Sequence, residues 1–305
     1  MMELLWEQVK PDEGVIRVRE GRILARYSYS TEQNHPYFWN LRPLNHDGVL
    51  SNHAPWDHRW HHGLWWSWKY INDVLYWEDD ESHHSIRNGL GRANVVEHTV
   101  EQLSGDVGIR EKIEWRESGT GAMILAEERR MTLHVASDLE DAWAIDWDME
   151  WKACARAELS TMPYPEFPWG GYAGLNYRAA RSMVAGEEIH ASEGRHGAPA
   201  IHSHPAAWIA YLGNADGSTT DDSDHPAVGG VAIFGHPDNW GAPAPAYATS
   251  AHESFGFLAA APLMLEDKIL EPDEILRLRF RAVILGVRAN EDELNAQHRQ
   301  YSNTH

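Results

Sequence analysis

The stretch from Asn34 to Glu78, NHPYFWNLRPLNHDGVLSNHAPWDHRWHHGLWWSWKYINDVLYWE, concentrates the side chains able to do chemistry. It holds His35, His46, His53, His58, His61 and His62, interleaved with Trp39, Trp56, Trp60, Trp65, Trp66, Trp68 and Trp77. The whole chain of 305 residues carries 19 His and 15 Trp, both high for a globular protein. Imidazole moves protons near neutral pH and ligates metals. Indole offers a broad apolar face with one polar N–H, suited to a core and to stacking on a ligand. So many titratable rings cannot all be buried without partners, so some of them face a cleft or the surface.

The sharpest piece is DHRWHHG, Asp57 to Gly63. His58, His61 and His62 fall within five residues and could contribute to a divalent metal site, with Asp57 as ligand or as the carboxylate that orients a ring. They could equally act as general acid or base, or hydrogen-bond a substrate, or simply tie loops together. The spacing matches no standard zinc pattern. There is no His-Glu-x-x-His helix, and Cys154 is the one cysteine. Other candidates are weaker. His202-Ser203-His204 would put two imidazoles on one side of an extended segment and reads as a loop rather than a metal pair. His83-His84, His190 and His196 sit in polar stretches and are expected to face solvent. The run PYPEFPWGGYAGLNYR, Pro163 to Arg178, is a stiff aromatic loop whose charged groups are Glu166 and Arg178. GHPDNWGAP, Gly235 to Pro243, places His236, Asp238, Asn239 and Trp240 at a strand end. No GxSxG elbow, phosphate-cradling glycine loop or dinucleotide fingerprint is present, which argues against serine-hydrolase, nucleoside-triphosphate and Rossmann-cofactor chemistry.

The elements that must position these residues are strands. From Trp143 the apolar residues Trp143, Ile145, Trp147, Met149, Trp151 and Ala153 alternate with Asp146, Asp148, Glu150 and Lys152, a half-buried strand. Leu276, Leu278, Phe280, Ala282 and Ile284 alternate with Arg277, Arg279 and Arg281 in the same way. Ile16 to Val18 and Ile23 to Tyr27 read as a hairpin about Glu20-Gly21. Val95 to Leu103, Ile109 to Trp115, Met131 to Val135, Ala207 to Leu212 and Gly230 to Phe234 add further strands. The one clear helix is terminal, Glu291 to Tyr301, capped by Asn290. Many strands separated by turn residues, with almost no helix between them, predict an all-β fold. The expected architecture is a large antiparallel two-sheet β-sandwich with a short C-terminal helix, built as a single domain over 1–305. The polar run Gly213 to Pro226 reads as a surface loop.

Composition narrows the partners. With 46 Asp and Glu against 26 Lys and Arg, the formal charge is −20, which argues against nucleic acid and anionic membrane surfaces as partners. The N-terminus lacks the pattern of a signal peptide. The most apolar stretch, Phe255 to Leu265, is far shorter than the ~20 residues of a spanning helix. A cytoplasmic protein without intramolecular disulfides is the expectation.

At HPYFWNLRPL, PWDHRWHHGLWWSW and YWE, then at GGYAGLNYR (Gly170 to Arg178) and GGVAIFGHPDN (Gly229 to Asn239), the sequence resembles a bacterial family of unknown function named PmoA-like, or methane oxygenase PmoA. The resemblance runs over about residues 15 to 287. It places Asp57, His58, His61, His62 and Gly63 in the family's most recognisable motif, with Arg59-Trp60 standing where relatives tend to have Pro-x. It implies a carbohydrate context, since members sit among sugar oxidoreductase and sugar isomerase genes. A true methane oxygenase subunit is membrane-embedded, and no stretch of this chain could span a bilayer. The closing pattern, Leu270-Glu271-Pro272-Asp273-Glu274 followed by a strand from Ile275 to Leu285, is similar to the last strands of galactose-mutarotase-like supersandwiches.

Together these readings predict a carbohydrate-active enzyme acting on a sugar, glycoside or keto-glycoside by epimerisation, elimination or glycosidic cleavage. Its catalytic set would be His58, His61, His62, Asp57 and Glu166. His53, Trp56, Trp60, Trp65, Trp66, Arg178, His236, Asn239 and Trp240 would bind the small-molecule carbohydrate. The sequence points to no definite cofactor, although a divalent metal on His58, His61 and His62 would be compatible. Hydrolysis by two carboxylates, from Glu166, Asp57 and Asp238, is the second enzymatic option. The alternatives are a non-catalytic sugar-binding or sensing protein and, third, a metal-dependent oxygenase with iron or copper in the histidine cluster.

Overall fold

The computed structural model describes residues 2–19, 21–79, 87–215 and 227–304. The expected loop is therefore described only at Gly213–Ala215, and His83-His84 lie outside the described residues. Three antiparallel sheets form, one more than the alternation predicted.

The larger of the two main sheets has nine strands. At its centre Ala142–Ala153 pairs with Ile275–Leu285, in a register that sets Asp146 opposite Arg281, Asp148 opposite Arg279 and Glu150 opposite Arg277. The charged residues thus share the outer face, as strand alternation requires. Met123–Val135, Val107–Glu117 and Gly91–Gln102 extend this sheet on one side. On the other side come Val228–Gly235, Trp208–Asn214, Glu188–Ala191 and the short edge strand Arg195–His196.

The eight-stranded sheet runs in the order Leu4–Lys10, Glu13–Val18, Ile23–Ser28, Tyr37–Trp39, Leu64–Ser67, Gly174–Arg178, Phe257–Ala260, Ala246–Thr249. Its inner residues meet those of the nine-stranded sheet. Trp66 lies 5.2 Å from Trp151 and 5.4 Å from Phe280 between ring centroids, and Phe38 lies 5.6 Å from Trp147. Within this core Glu127 and Arg129 form a fully buried ion pair at 2.6 Å. Glu127 also accepts from the indole N–H groups of Trp115 (2.8 Å) and Trp151 (2.9 Å), so the buried charge is compensated.

The third sheet is small and combines Lys268–Leu270, Ala157–Ser160, Tyr70–Ile71 and Val74–Leu75. Its strands are too short for a period-two signal. The C-terminal helix, Glu291–Ser302, begins as expected. Asn290 accepts from the Glu293 backbone N–H and the Glu293 carboxylate accepts from that of Asn290, a full capping box. Besides it, among the described residues, a short α-helix forms at Ala198–Ile201 and 3-10 turns at Arg181–Val184 and Ser192–Gly194.

Candidate active site

On the central strands of the eight-stranded sheet the side chains alternate. Phe38, Trp66, Leu175 and Leu258 point into the sandwich, whereas Tyr37, Trp65, Phe257 and Tyr247 point away from it and gather a second apolar cluster with Trp77. A cleft of about 900 Å³ opens above this outward cluster. Trp77, Tyr247 and Phe257 belong to its lining, and Tyr164, Trp169 and Tyr172 come from the aromatic loop. His58, Trp60 and His61 close one side, Phe255 and Glu253 another, and His202 and His204 a third.

The DHRWHHG segment reaches this cleft through a tight double turn. The His58 N–H donates to the Pro55 carbonyl (3.1 Å) and the His61 N–H to that of His58 (3.0 Å). The segment then enters Leu64–Ser67 through Gly63, whose φ is +98°. A Cβ on Gly63 would come within 2.6 Å of the Phe38 carbonyl oxygen, so only glycine fits the close approach.

The electrostatics of the segment are set by one arginine 121 positions away. Arg178 ends the strand Gly174–Arg178 with only 2 % of its surface exposed. Its Nη2 donates to Asp57 Oδ2 (2.7 Å) and its Nη1 to His61 Nδ1 (3.2 Å). Arg181 adds a second bond, to Asp57 Oδ1 (2.9 Å). Burial would raise the Asp57 carboxyl, but the hydrogen bonds from Arg178 and His58 and the charge of Arg178 hold it well below the usual carboxylate range. Asp57 is therefore an ionised acceptor, and His58 Nδ1–H donates to its Oδ2 (3.1 Å).

These contacts give the two cleft histidines opposite roles. Asp57 places the His58 proton on Nδ1 and leaves Nε2 as a lone-pair acceptor. Arginine can only donate, so His61 Nδ1 must accept and the proton of neutral His61 sits on Nε2. The rings stack with centroids 4.7 Å apart and planes 26° from parallel. Burial is the main cause that lowers the pKa of His58, opposed by its bond to Asp57. In His61, with 4 % of its surface exposed, burial lowers it well below the ordinary value, reinforced by the charges of His58 and Arg178. Both rings are neutral at pH 7.

His62 does not join them. Adjacent residues of an extended chain face opposite ways, so His62 turns from the cleft. Its Nε2 lies 3.0 Å from Asp79 Oδ2, and its ring stacks on Tyr37 at 4.2 Å. The expected three-histidine metal set is thus split, and the donors needed for a closed site are not brought together. His53 goes with His62, stacked on Trp39 at 4.7 Å. Burial lowers its pKa to about 4.

The other expected site residues divide as follows. Trp60 lines the cleft, but Trp65 and Trp66 are fully buried, because the central strand Leu64–Ser67 is covered on both faces. Trp56 is 79 % exposed and lines a neighbouring hollow with Asp57 and Arg181. Arg178 is committed to Asp57 and His61 rather than open to a ligand. Glu166 is exposed at the outside of its loop and is not part of the cleft lining. The loop after Val228–Gly235 does not reach the cleft either. His236 Nδ1 accepts from Arg279 Nη2 (2.9 Å), and Asn239 exchanges side-chain bonds with the Arg279 backbone (2.7 Å each). Trp240 lies under Lys268, whose Nζ is 5.5 Å from the ring centroid. This loop and Asp238 instead border a charged hollow on the nine-stranded sheet.

His202 and His204 sit in the turn that follows Ala198–Ile201, not in an extended segment. The His202 ring packs edge-on against Tyr164 and Tyr247. Several lining residues carried no sequence signal, among them Tyr247, Phe255 and Phe257. Beneath the floor Lys69 and Glu78 form a buried ion pair (2.6 Å), and Lys69 Nζ also donates to the Tyr172 hydroxyl (2.8 Å). Burial lowers Lys69 to about 8 against the opposing pull of Glu78.

The molecule is thus an antiparallel β-sandwich with an aromatic cleft on the outer face of one sheet and a carboxylate–imidazole pair at its edge. The chain belongs to the family of unknown function DUF6807, whose model matches residues 16–299. That description does not carry the methane-oxygenase name anticipated from the motifs. Among curated proteins none matches the sequence. The solved structures similar to it at low identity include the following two. A polysaccharide lyase aligns with 97 % of this chain at 11 % identity and a TM-score of 0.37, and this chain spans 34 %, about a third, of that protein. A galactose mutarotase related enzyme from Lactobacillus acidophilus aligns with 93 % of this chain and 97 % of its own, at 9 % identity and a TM-score of 0.33. Among the described residues no helix is long and apolar enough to cross a membrane.

Proposed function

We propose that the protein is a carbohydrate-active enzyme that moves a proton on a sugar or glycoside bound in the aromatic cleft. The observation that carries this reading is the opposed polarity of the two cleft histidines. His58 is oriented by Asp57 with Nε2 as acceptor, and His61 is oriented by Arg178 with Nε2–H as donor. A base and a neutral donor side by side suit removal of a proton at or beside the anomeric carbon while the adjoining oxygen takes up charge. Epimerisation, ring opening and elimination all share that step. The cleft volume falls in the range of small-molecule sites. Its indole and phenol walls offer stacking surface for the apolar face of a pyranose, and its imidazoles bond to hydroxyls. Double-carboxylate hydrolysis fits less well, because among the described residues Glu253 is the only carboxylate in the lining and Asp57 is held by two arginines.

The test is proton exchange in D2O, followed by NMR, over a panel of free sugars, glycosides and keto-glycosides. One class should exchange or turn over, and His58→Ala should slow it by about 10²–10⁴-fold, the usual contribution of a general base, while the ligand still binds. Activity should fall below pH 6.5 as His58 is protonated, since its pKa lies under the ordinary value. Binding without exchange by any member of the panel would refute the enzymatic reading in favour of a sugar-binding protein. A rate indifferent to both His58→Ala and His61→Ala would refute the assigned roles.

A further inference from the structure

We propose that His190, His196 and Glu291 form a binding site for a divalent transition metal of the zinc class, outside the cleft. His190 lies in Glu188–Ala191 and His196 in the edge strand Arg195–His196, joined by the tight turn Ser192–Gly194. Their antiparallel register sets the two histidines directly opposite each other, with ring centroids 4.8 Å apart. Glu291 is the first residue of the C-terminal helix, whose start is fixed by the Asn290–Glu293 capping box. Its carboxylate lies 2.8 Å from His196 Nε2. One donor atom from each of the three residues falls within 4.8 Å of the others, and among the described residues no other group of three such donors comes as close.

The chemistry of the donor set fits this class of ion. Two imidazoles and a carboxylate are the ligand mixture of borderline metals, at metal–ligand distances of about 2.0–2.2 Å. In a tetrahedral site such donors stand about 3.3–3.6 Å apart, so rotation of the half-buried His190 ring and the exposed His196 ring would complete the approach. The second shell is also present. His190 Nε2 lies 3.2 Å from Glu188 Oε2, while its Nδ1 is buried with no hydrogen-bond partner. A histidine held by a carboxylate on one nitrogen and free on the other is the arrangement that orients a metal ligand. Arg288 in turn pairs with Glu188 and fixes that carboxylate. A bound ion would staple the first turn of the C-terminal helix to the edge of the nine-stranded sheet, adding to the apolar contact of Leu294 and Tyr301 with the sheet.

The experiment is calorimetric titration of the chelator-stripped, untagged chain with Zn2+, repeated with Co2+ to read its visible bands. One equivalent should bind, with a rise in Tm and a tetrahedral cobalt spectrum. His196→Ala and Glu291→Gln should each weaken that equivalent by 100-fold or more. His196 is exposed and Glu291 partly so, and neither side chain makes the capping box, so the stripped variants should melt at the temperature of the stripped wild type. The double variant His58→Ala/His61→Ala should retain the equivalent. Absence of binding to the wild type, unchanged binding by the first two variants, or loss of the equivalent in the cleft variant would each overturn the proposal.

Discussion

Acid should destabilise this protein well above the pH at which carboxylates titrate. His35 is 1 % exposed, and burial, helped by the charge of His62 and opposed by Asp79, brings its pKa down to about 3. His61 is depressed in the same direction. In the unfolded chain both rings take up a proton near pH 6.5, while in the native protein they stay neutral. The native state is therefore favoured in full above pH 6.5, and stability is lost as the pH falls from there towards the depressed native values. By pH 5 the His35 ring costs about 2 kcal/mol, from 1.36 kcal/mol per pH unit over 1.5 units. His61, and His53 with its pKa of about 4, add to that loss in the same direction, against the ~5–15 kcal/mol that stabilises a typical domain. Asp57 and Asp79 are held low and add nothing in this window, because both their native and unfolded values lie below it. Urea unfolding followed by tryptophan fluorescence at pH 7 and pH 5 measures the difference. In His35→Leu the loss between the two pH values should shrink by about 2 kcal/mol, since that protonation is gone. A loss under about 1 kcal/mol in the wild type, or an undiminished loss in His35→Leu, would show that these rings are not held neutral by burial.

Two further outcomes probe the site and the core separately. Asp57→Asn turns one of the two acceptor oxygens into an N–H donor and leaves His58, Arg178 and Arg181 competing for the other, so 15N NMR should show the His58 proton no longer confined to Nδ1. Turnover of any substrate found should drop by at least ~10²-fold, as expected when a general base loses its orientation. Trp151→Ala should lower unfolding free energy by about 3–5 kcal/mol, the range for emptying a large buried aromatic site, because the ring packs on Trp66 and Trp68 and its N–H satisfies buried Glu127. Chemical denaturation reads it, and a change below ~1 kcal/mol would contradict the packing described.

What could be read from the sequence followed from period. Trp143 to Ala153 and Leu276 to Ile284 state their inner and outer faces outright, and their charged residues pair across the strands as the alternation implies. Even Glu127 and Arg129 obey it, sharing parity with Leu125, Met131 and Leu133, so their burial is a consequence of register and their pairing with each other its remedy. The same rule, applied to the site, separates residues that composition groups together. His61 and His62 are neighbours in sequence and face opposite sides of an extended chain. Trp65 and Trp66 do likewise, one under the cleft and one between the sheets. A cluster of like residues in sequence is thus a poor guide to a cluster in space wherever the segment is extended. Local spacing could not place Arg178. Its link to Asp57 and His61 depends on the central strand Gly174–Arg178 pairing beside Leu64–Ser67, a contact between segments more than a hundred residues apart. That one long-range pairing converts two equivalent histidines into an acceptor and a donor. The donor–acceptor asymmetry of the two histidines therefore depends on the topology of the sheet as well as on the motif itself.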